Sequence, residues 1–383
     1  MKLLILFISL LGILTSCQHP AKNTPLNNTT QTTIDEKIVD PEVTSPLAEK
    51  QFNNEVIQYN KSGFLPFNFN EKITRFALGS CASQDQPMPL FRHIIKEDPQ
   101  LFLFIGDNIY SSRKEQRPPD FQYMKLDQIP IFQEVKSKFP ILTIWDDHDF
   151  GANDGGSDNP YKTQYRKAFL DYWSQVRPFV IENEGALYYS TLFGPQNENI
   201  HFIFLDTRFH RTPITQVQTD KGYKQVLPTD NGTENMLGDA QWKWLEAELK
   251  KPAKIKFIIS SIQFVANAHP FERWGEFPAQ KDKMIQLLKK TQAKNVFFLS
   301  GDRHIGTIAK ETIKGYGNIY DLTASSINRS KNLPEEIDPT YIGHSTSKEN
   351  FGLISIDWEK LELKMELRDN SNSVANEVKI LLL

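Results

Sequence analysis

Cysteine is nearly absent from this chain: its 383 residues include two, Cys17 and Cys81, too few for a disulfide framework. Basic charge is not in excess either. With 44 Lys and Arg against 47 Asp and Glu, the formal net charge of -3 offers no basic footprint for nucleic-acid backbones or anionic membranes. An anionic substrate would have to be met locally, by metals and a few arginines. The apolar stretch at residues 3–14 is too short to span a bilayer comfortably, and no internal repeat is visible. An apolar fraction of 39% still leaves a substantial core, for one large domain or two ordinary ones.

What is present is a recurrence. Phe76-Ala77-Leu78 runs into Gly79-Ser80-Cys81, Leu101-Phe102-Leu103-Phe104-Ile105 into Gly106-Asp107-Asn108-Ile109-Tyr110, and Ile141-Leu142-Thr143-Ile144-Trp145 into Asp146-Asp147-His148-Asp149. Further on, Phe202-Ile203-Phe204-Leu205 reaches Asp206-Thr207-Arg208, and Val296-Phe297-Phe298-Leu299 reaches Gly301-Asp302-Arg303-His304. Continuous β-branched and aromatic runs of this length read as strands buried on both faces, and the C-terminal edge of an α/β sheet is where ligands bind. Any single Asp after a strand is explained by a turn or a helix cap. Asp107, Asp146, Asp147 and Asp302 gathered with Cys81, Tyr110, His148 and His304 are not, because crowded carboxylates need compensating cations. The economical reading is a site for at least two metal ions.

Asp107 is suited to bridge two cations, with Gly106 letting the backbone turn closely beneath them. Tyr110 and Cys81 as ligands would favour ferric iron over magnesium, since a phenol ionises only beside strong positive charge. His148, beside two repelling carboxylates, can lend a proton to a leaving oxygen. Asp302 and His304, alternate residues of an extended segment, can face one site. Arg208 and Arg211 either clamp a phosphate or pair with Asp206 or a glutamate.

Taken in order, Gly-Ser-Cys, Gly-Asp-x-Ile-Tyr, Trp-Asp-Asp-His, Leu-Asp-Thr-Arg and Gly-Asp-x-His resemble the PhoD-like alkaline phosphatases of the metallophosphatase superfamily, over about residues 73–383. Leu237-Gly238-Asp239-Ala240-Gln241, Ile259-Ser260-Ser261-Ile262-Gln263, Trp274-Gly275-Glu276-Phe277-Pro278 and Phe351-Gly352-Leu353 extend it. The resemblance implies a four-layer α/β/β/α sandwich and a mixed site of ferric iron and calcium. Cys81, Asp107 and Tyr110 would surround the iron, and Asp147 and Asp302 would lie toward the calcium, with Asp146 and His304 nearby. Asp147-His148 would stand for the superfamily's Asn-His pair, which makes His148 the transition-state stabiliser, and Gln263 would replace a second-sphere histidine. The implied catalytic set is His148, Asp107 and Arg208, and the implied reaction is hydrolysis of small phosphate mono- or diesters. Two features depart from the family: no N-terminal β-rich domain precedes the match, and His269-Pro270-Phe271-Glu272-Arg273 lacks an acid immediately before Trp274. A zinc or manganese pair acting on lipid or nucleotide diesters is the alternative within hydrolases. A surface lipoprotein that binds metal or phosphate without turnover is the alternative outside them.

The N-terminus reads as a targeting segment. Lys2 precedes the apolar stretch, and Leu14-Thr15-Ser16-Cys17 resembles the lipobox of bacterial lipoproteins. Residues 1–16 would be the signal peptide, Cys17 the lipid anchor and residues 17–63 a disordered tether to a catalytic domain at 64–383. The expected location is that of an exported lipoprotein, with no specific nucleic-acid binding and no protein partner evident. Lipidation of Cys17 leaves Cys81 without an intramolecular partner, consistent with ligation. Helices are expected around Leu90, Ile94 and Ile95, around Trp242, Leu245 and Leu249 with Asp239 as cap, and around Ile285, Leu287 and Leu288. Residues 113–127 and 210–234 lack periodicity and read as lids or substrate loops, whereas the last 30 or so residues alternate like an antiparallel meander.

Overall fold

The computed structural model describes residues 63–112, 117–182, 185–220, 224–229, 232–331 and 334–383. The signal segment, Cys17 and the tether up to residue 62 lie outside the described residues. Among the described residues no helix is long and apolar enough to cross a membrane. In chain order the elements are β1 (Arg75–Gly79), α1 (Phe91–Glu97), β2 (Phe102–Ile105), α2 (Pro119–Asp127), α3 (Pro130–Lys138), β3 (Ile141–Ile144), α4 (Asp147–Phe150), α5 (Lys162–Tyr172), β4 (Tyr189–Phe193) and β5 (Ile200–Phe204). They continue with β6 (Thr215–Gln218), β7 (Lys224–Leu227), α6 (Asp239–Lys250), β8 (Ile255–Ile259), α7 (Pro278–Thr291), β9 (Val296–Ser300), β10 (Gly306–Ile313), β11 (Gly317–Ala324), β12 (Asn350–Asp357), β13 (Glu362–Asp369) and β14 (Val374–Leu381).

Two six-stranded sheets carry the fold, ordered β14-β13-β12-β1-β2-β3 and β10-β11-β9-β8-β5-β4. Strands β1, β2 and β3 are parallel, as are β5, β8, β9 and β11. The closing strands β12, β13 and β14 form the expected antiparallel meander, attached to β1. The sheets meet face to face through rings: Phe76 of β1 lies edge-on to Phe202 of β5 and Phe257 of β8, with centroids 5.2 and 5.1 Å apart.

Alternation explains why the strands read as unbroken apolar runs. In β5 and the residue after it, Phe202 and Phe204 join the inter-sheet cluster, whereas Ile203 and Leu205 join a second cluster beneath Trp242, Leu245 and Leu249 of α6 and Met284 and Leu288 of α7. On the other outer face, Phe91 of α1 packs on Phe102 and Phe104, and Phe132 of α3 on Phe104. The result is a four-layer α/β/β/α sandwich. Each fully buried Leu or Phe contributes about 1.5–3 kcal/mol by leaving water.

Three local expectations change. The stretch ending at Asp127 contains α2, hidden from periodicity because its buried side includes Gln122 and Tyr123, which bond to Gln84 and Asp149. Residues 210–234 contain the β6–β7 hairpin, whose first strand, Thr-Gln-Val-Gln, is largely solvent-facing. Gly238, at φ 79°, takes the cap position of α6 and Asp239 is the first helical residue, where its charge still favours the helix N-terminus.

Candidate metal centre

The C-terminal ends of β1, β2, β3 and β9 converge on one side of the two sheets. Four of the residues they deliver adopt left-handed backbone: Cys81 at φ 57°, Asp107 at 48°, Asp302 at 66° and His304 at 56°. Such conformations are uncommon outside glycine and are stored where function over-determines them. Gly106 is required more strictly. At φ +106° a Cβ there would stand 2.6 Å from Cβ of Asp146, so any larger residue would push β2 away from the end of β3.

Asp107 is the hub. Its Oδ2 lies 3.5 Å from the Cys81 thiol and accepts the Tyr110 hydroxyl at 3.1 Å, while Oδ1 accepts the His148 backbone N–H at 3.2 Å. Tyr110 also meets His304 Nε2 at 2.9 Å, and its ring lies tilted against that of His148 with centroids 4.2 Å apart. Three sets of ligand atoms fall within 4.8 Å of one another: Cys81, Asp107 and His304; Asp107, Asp147 and His148; Asp146, Asp147 and Asp302. The structure therefore brings together every metal residue named from sequence. Asp206 is the exception among the strand ends: its carboxylate is spent on the backbone N–H groups of Leu187, Arg208 and Phe209.

These residues fit cations on three counts. Oδ2 of Asp146, Oδ1 of Asp147 and Nδ1 of His304 are buried without hydrogen-bond partners, a costly arrangement that a cation relieves. Burial, then the charges of neighbouring acids, pushes Asp107 and Asp302 well above the usual carboxylate range. Burial also takes Asp146 up to about 7 against the pull of Arg208, and the Cys81 thiol up to about 11 despite the Ser325 hydroxyl 3.1 Å away. Without a cation these groups hold protons; with one they become ligands. The third count is the donor chemistry. Sulfur, phenol and the His304 imidazole gather on one side of Asp107, and on the other stand the carboxylates of Asp146, Asp147 and Asp302, with His148 beside them.

Asp147 differs. Burial opposes its ionisation, but His148, Arg208 and hydrogen bonds, one of them from the Asp154 N–H at 2.7 Å, hold it well below the usual range. His304 is held well below an ordinary histidine, first by burial and then by Lys331 and Arg329, and so presents a neutral imidazole.

Arg208 reaches the centre but not as a free phosphate clamp. Wholly buried, it donates to Oδ1 of Asp146 through Nε and to Oε2 of Glu272 through Nη1, both at 2.6 Å. Arg211 Nε stands 3.0 Å from the other Glu272 oxygen. The ion-pair reading of these arginines holds, with Asp146 and Glu272 as partners in place of Asp206. Glu272, missed from sequence, supplies a buried acid two residues before Trp274. Gln263 donates to Thr323 at 2.8 Å and Thr307 at 3.3 Å.

Residues 76–351 match the model of the PhoD-like phosphatases. The chain belongs to that family. Alkaline phosphatase D of Bacillus subtilis (strain 168) is 23% identical over 267 residues, covering 60% of this chain and 45% of the relative, so the chain spans under half the length of that relative. Among solved structures, PhoD shares 18% identity at a TM-score of 0.62, over 83% of this chain and 70% of that one. The purple acid phosphatase PPD1 from yellow lupin (Lupinus luteus) seeds shares 15% at 0.54, over 82% of this chain and 55% of that one. The Plasmodium protein GAP50, described as the anchor in the inner membrane complex, shares 12% at 0.51, over 82% of this chain and 90% of that one. These likenesses support the sandwich.

Within this PhoD-like chain, Glu272→Ala would leave Arg208 and Arg211 buried beside one carboxylate fewer. Denaturant unfolding should show a loss of about 3–5 kcal/mol, the usual effect of orphaning a buried charge. The raised acids set a second expectation. Metal-free folded protein keeps protons on Asp107, Asp146 and Asp302 that the unfolded chain releases near pH 4. The stability these acids give therefore falls as pH rises through about 4 to 7 and beyond, a trend that the depressed His304 offsets in part, while Asp147, depressed, loses its contribution only below that window. Metal-free protein should melt at a lower temperature at pH 8 than at pH 5, and metal loading should abolish the drop; an equal or higher Tm at pH 8 without metal would contradict the assignment.

Proposed function

We propose that the protein is a metal-dependent phosphoester hydrolase, exported and lipid-anchored through Cys17, with residues 64–383 as the catalytic domain. One observation carries the reading: Asp107 joins a Cys81–Tyr110–His304 group to an Asp146–Asp147–Asp302 group, with His148 half-exposed beside both. Thiolate and phenolate donors favour ferric iron on the first side, and the three carboxylates favour calcium on the second. Bound there, the metals would supply Lewis acidity toward the phosphoryl group and a nucleophile at neutral pH.

The protein's own residues have separate tasks. Asp107 would hold both sides at once and, by accepting the His148 N–H, fixes the start of α4. Arg208, held by Glu272, occupies Oδ1 of Asp146 and leaves Oδ2 free, the atom that would ligate; its role is to position Asp146. His148, its ring set against Tyr110, gives its proton to the departing alkoxide.

The test is hydrolysis of a phosphate monoester and a diester before and after metal removal by chelation. Activity on at least one ester, lost on chelation and regained with iron and calcium, is expected. Recovery with zinc or manganese only would favour the other metal pair, and metal binding without turnover would make the protein a binding lipoprotein.

A further inference from the structure

The arginines near the centre are almost all committed. Arg117, whose Nε donates to the Tyr110 carbonyl, pairs with Asp85. Arg208 and Arg211 are taken by Asp146 and Glu272, and Arg303 by Glu336 at 2.5 Å. Arg329 is different. Among the described residues it has no ion pair, and its Nε is buried without a hydrogen-bond partner. Its guanidinium lies over the Tyr110 ring, with Cζ 4.5 Å from the centroid. The hydroxyl of that same ring touches Asp107 and His304.

The segment that delivers Arg329 is anchored along the loop after β1. Ser325 bonds the Cys81 thiol, and the Ile327 N–H donates to the Ser80 carbonyl at 3.0 Å. The Asn328 side chain accepts the Ser83 N–H at 2.7 Å and donates to the Ser83 carbonyl at 2.9 Å. The guanidinium is thereby placed before any substrate arrives, so little ordering is left to offset its gain. A guanidinium resting over a ring can keep its two Nη donors free, and such a pair can bind phosphate oxygens. Its half-buried position makes such a bond stronger than one at a fully solvated arginine.

We propose that Arg329 recognises the terminal oxygens of a phosphate at the mouth of the metal centre and so favours monoesters over diesters. The inference rests on the phosphoester reading above. A monoester dianion carries three terminal oxygens, and two of them remain for protein groups when the metals engage one. In a diester one of those oxygens bears the second substituent and the total charge falls by one, so the guanidinium loses both a partner and part of the attraction.

The test compares wild-type and Arg329→Gln protein, both metal-loaded, on p-nitrophenyl phosphate and bis(p-nitrophenyl) phosphate, which share a leaving group. The variant is expected to keep its metals, to raise KM for the monoester and the dissociation constant of inorganic phosphate by about tenfold, and to change kcat little. KM for the diester should move by less than about threefold, so that the preference for monoester falls. Equal losses on both esters, unchanged phosphate binding, or loss of metal from the variant would each overturn the proposal. Arg329→Lys is the second variant should the glutamine form not fold; its ammonium cannot span two oxygens, and the same ratio should fall by about threefold. If the wild type hydrolyses neither ester, the phosphoester reading fails. Calorimetric binding of inorganic phosphate to the two proteins then still decides the role of Arg329.

Discussion

Asp107→Asn is expected to lose turnover by about a thousandfold or more, because several kcal/mol of barrier reduction depend on cations that this carboxylate joins. The substitution keeps the shape of the side chain and removes its charge. An amide can still accept the His148 N–H through its oxygen, but its nitrogen cannot ligate facing Cys81 and Tyr110, where Oδ2 now stands at 3.5 and 3.1 Å. Metal occupancy should fall on both sides of the hub together. The fold should survive, and metal-free Asp107→Asn should be at least as stable at pH 8 as metal-free wild type, since burial and neighbouring acids already disfavour the charge there. Elemental analysis with thermal unfolding checks both. Near-normal turnover with full metal content would show that Asp107 is not the shared ligand.

His148→Ala should separate chemistry from metal binding. The ring lies against Tyr110, and the backbone N–H that bonds Asp107 is kept by the substitution, so both metals should remain. The rate should fall by about a hundredfold or more on an alkyl phosphate, the range for a lost general acid. On a nitrophenyl ester the loss should be much smaller, because that leaving group departs without a proton. Equal fractional losses on the two esters would assign His148 to orienting the phosphate.

Much of this was legible in the chain itself, and for a physical reason. Buried strands need apolar residues on both faces, as Phe202 and Ile203 illustrate, and the polar residues that end such strands are conspicuous. Cys81, Asp107, Asp146, Asp147 and Asp302 could be gathered because the ends of parallel strands share one edge. The left-handed backbone at Cys81, Asp107, Asp302 and His304 left no trace, since none of these is glycine. Helix α2 escaped because Gln122 and Tyr123 occupy its buried side with satisfied polar groups. Partner choice was least visible. Arg208 was as free to join Asp206, two residues away, as Glu272, 64 residues away, and only tertiary packing chose the second. Arg329 stood out only once the other arginines near the centre had found their carboxylates.

Whether one carboxylate joins two unlike cation sites is read from metal content and a visible absorption spectrum on protein purified without a chelating column. One iron and one calcium per chain are expected, with a thiolate or phenolate charge-transfer band that Cys81→Ala weakens along with iron content. Two equivalents of zinc or manganese in a colourless, fully active protein would contradict this expectation.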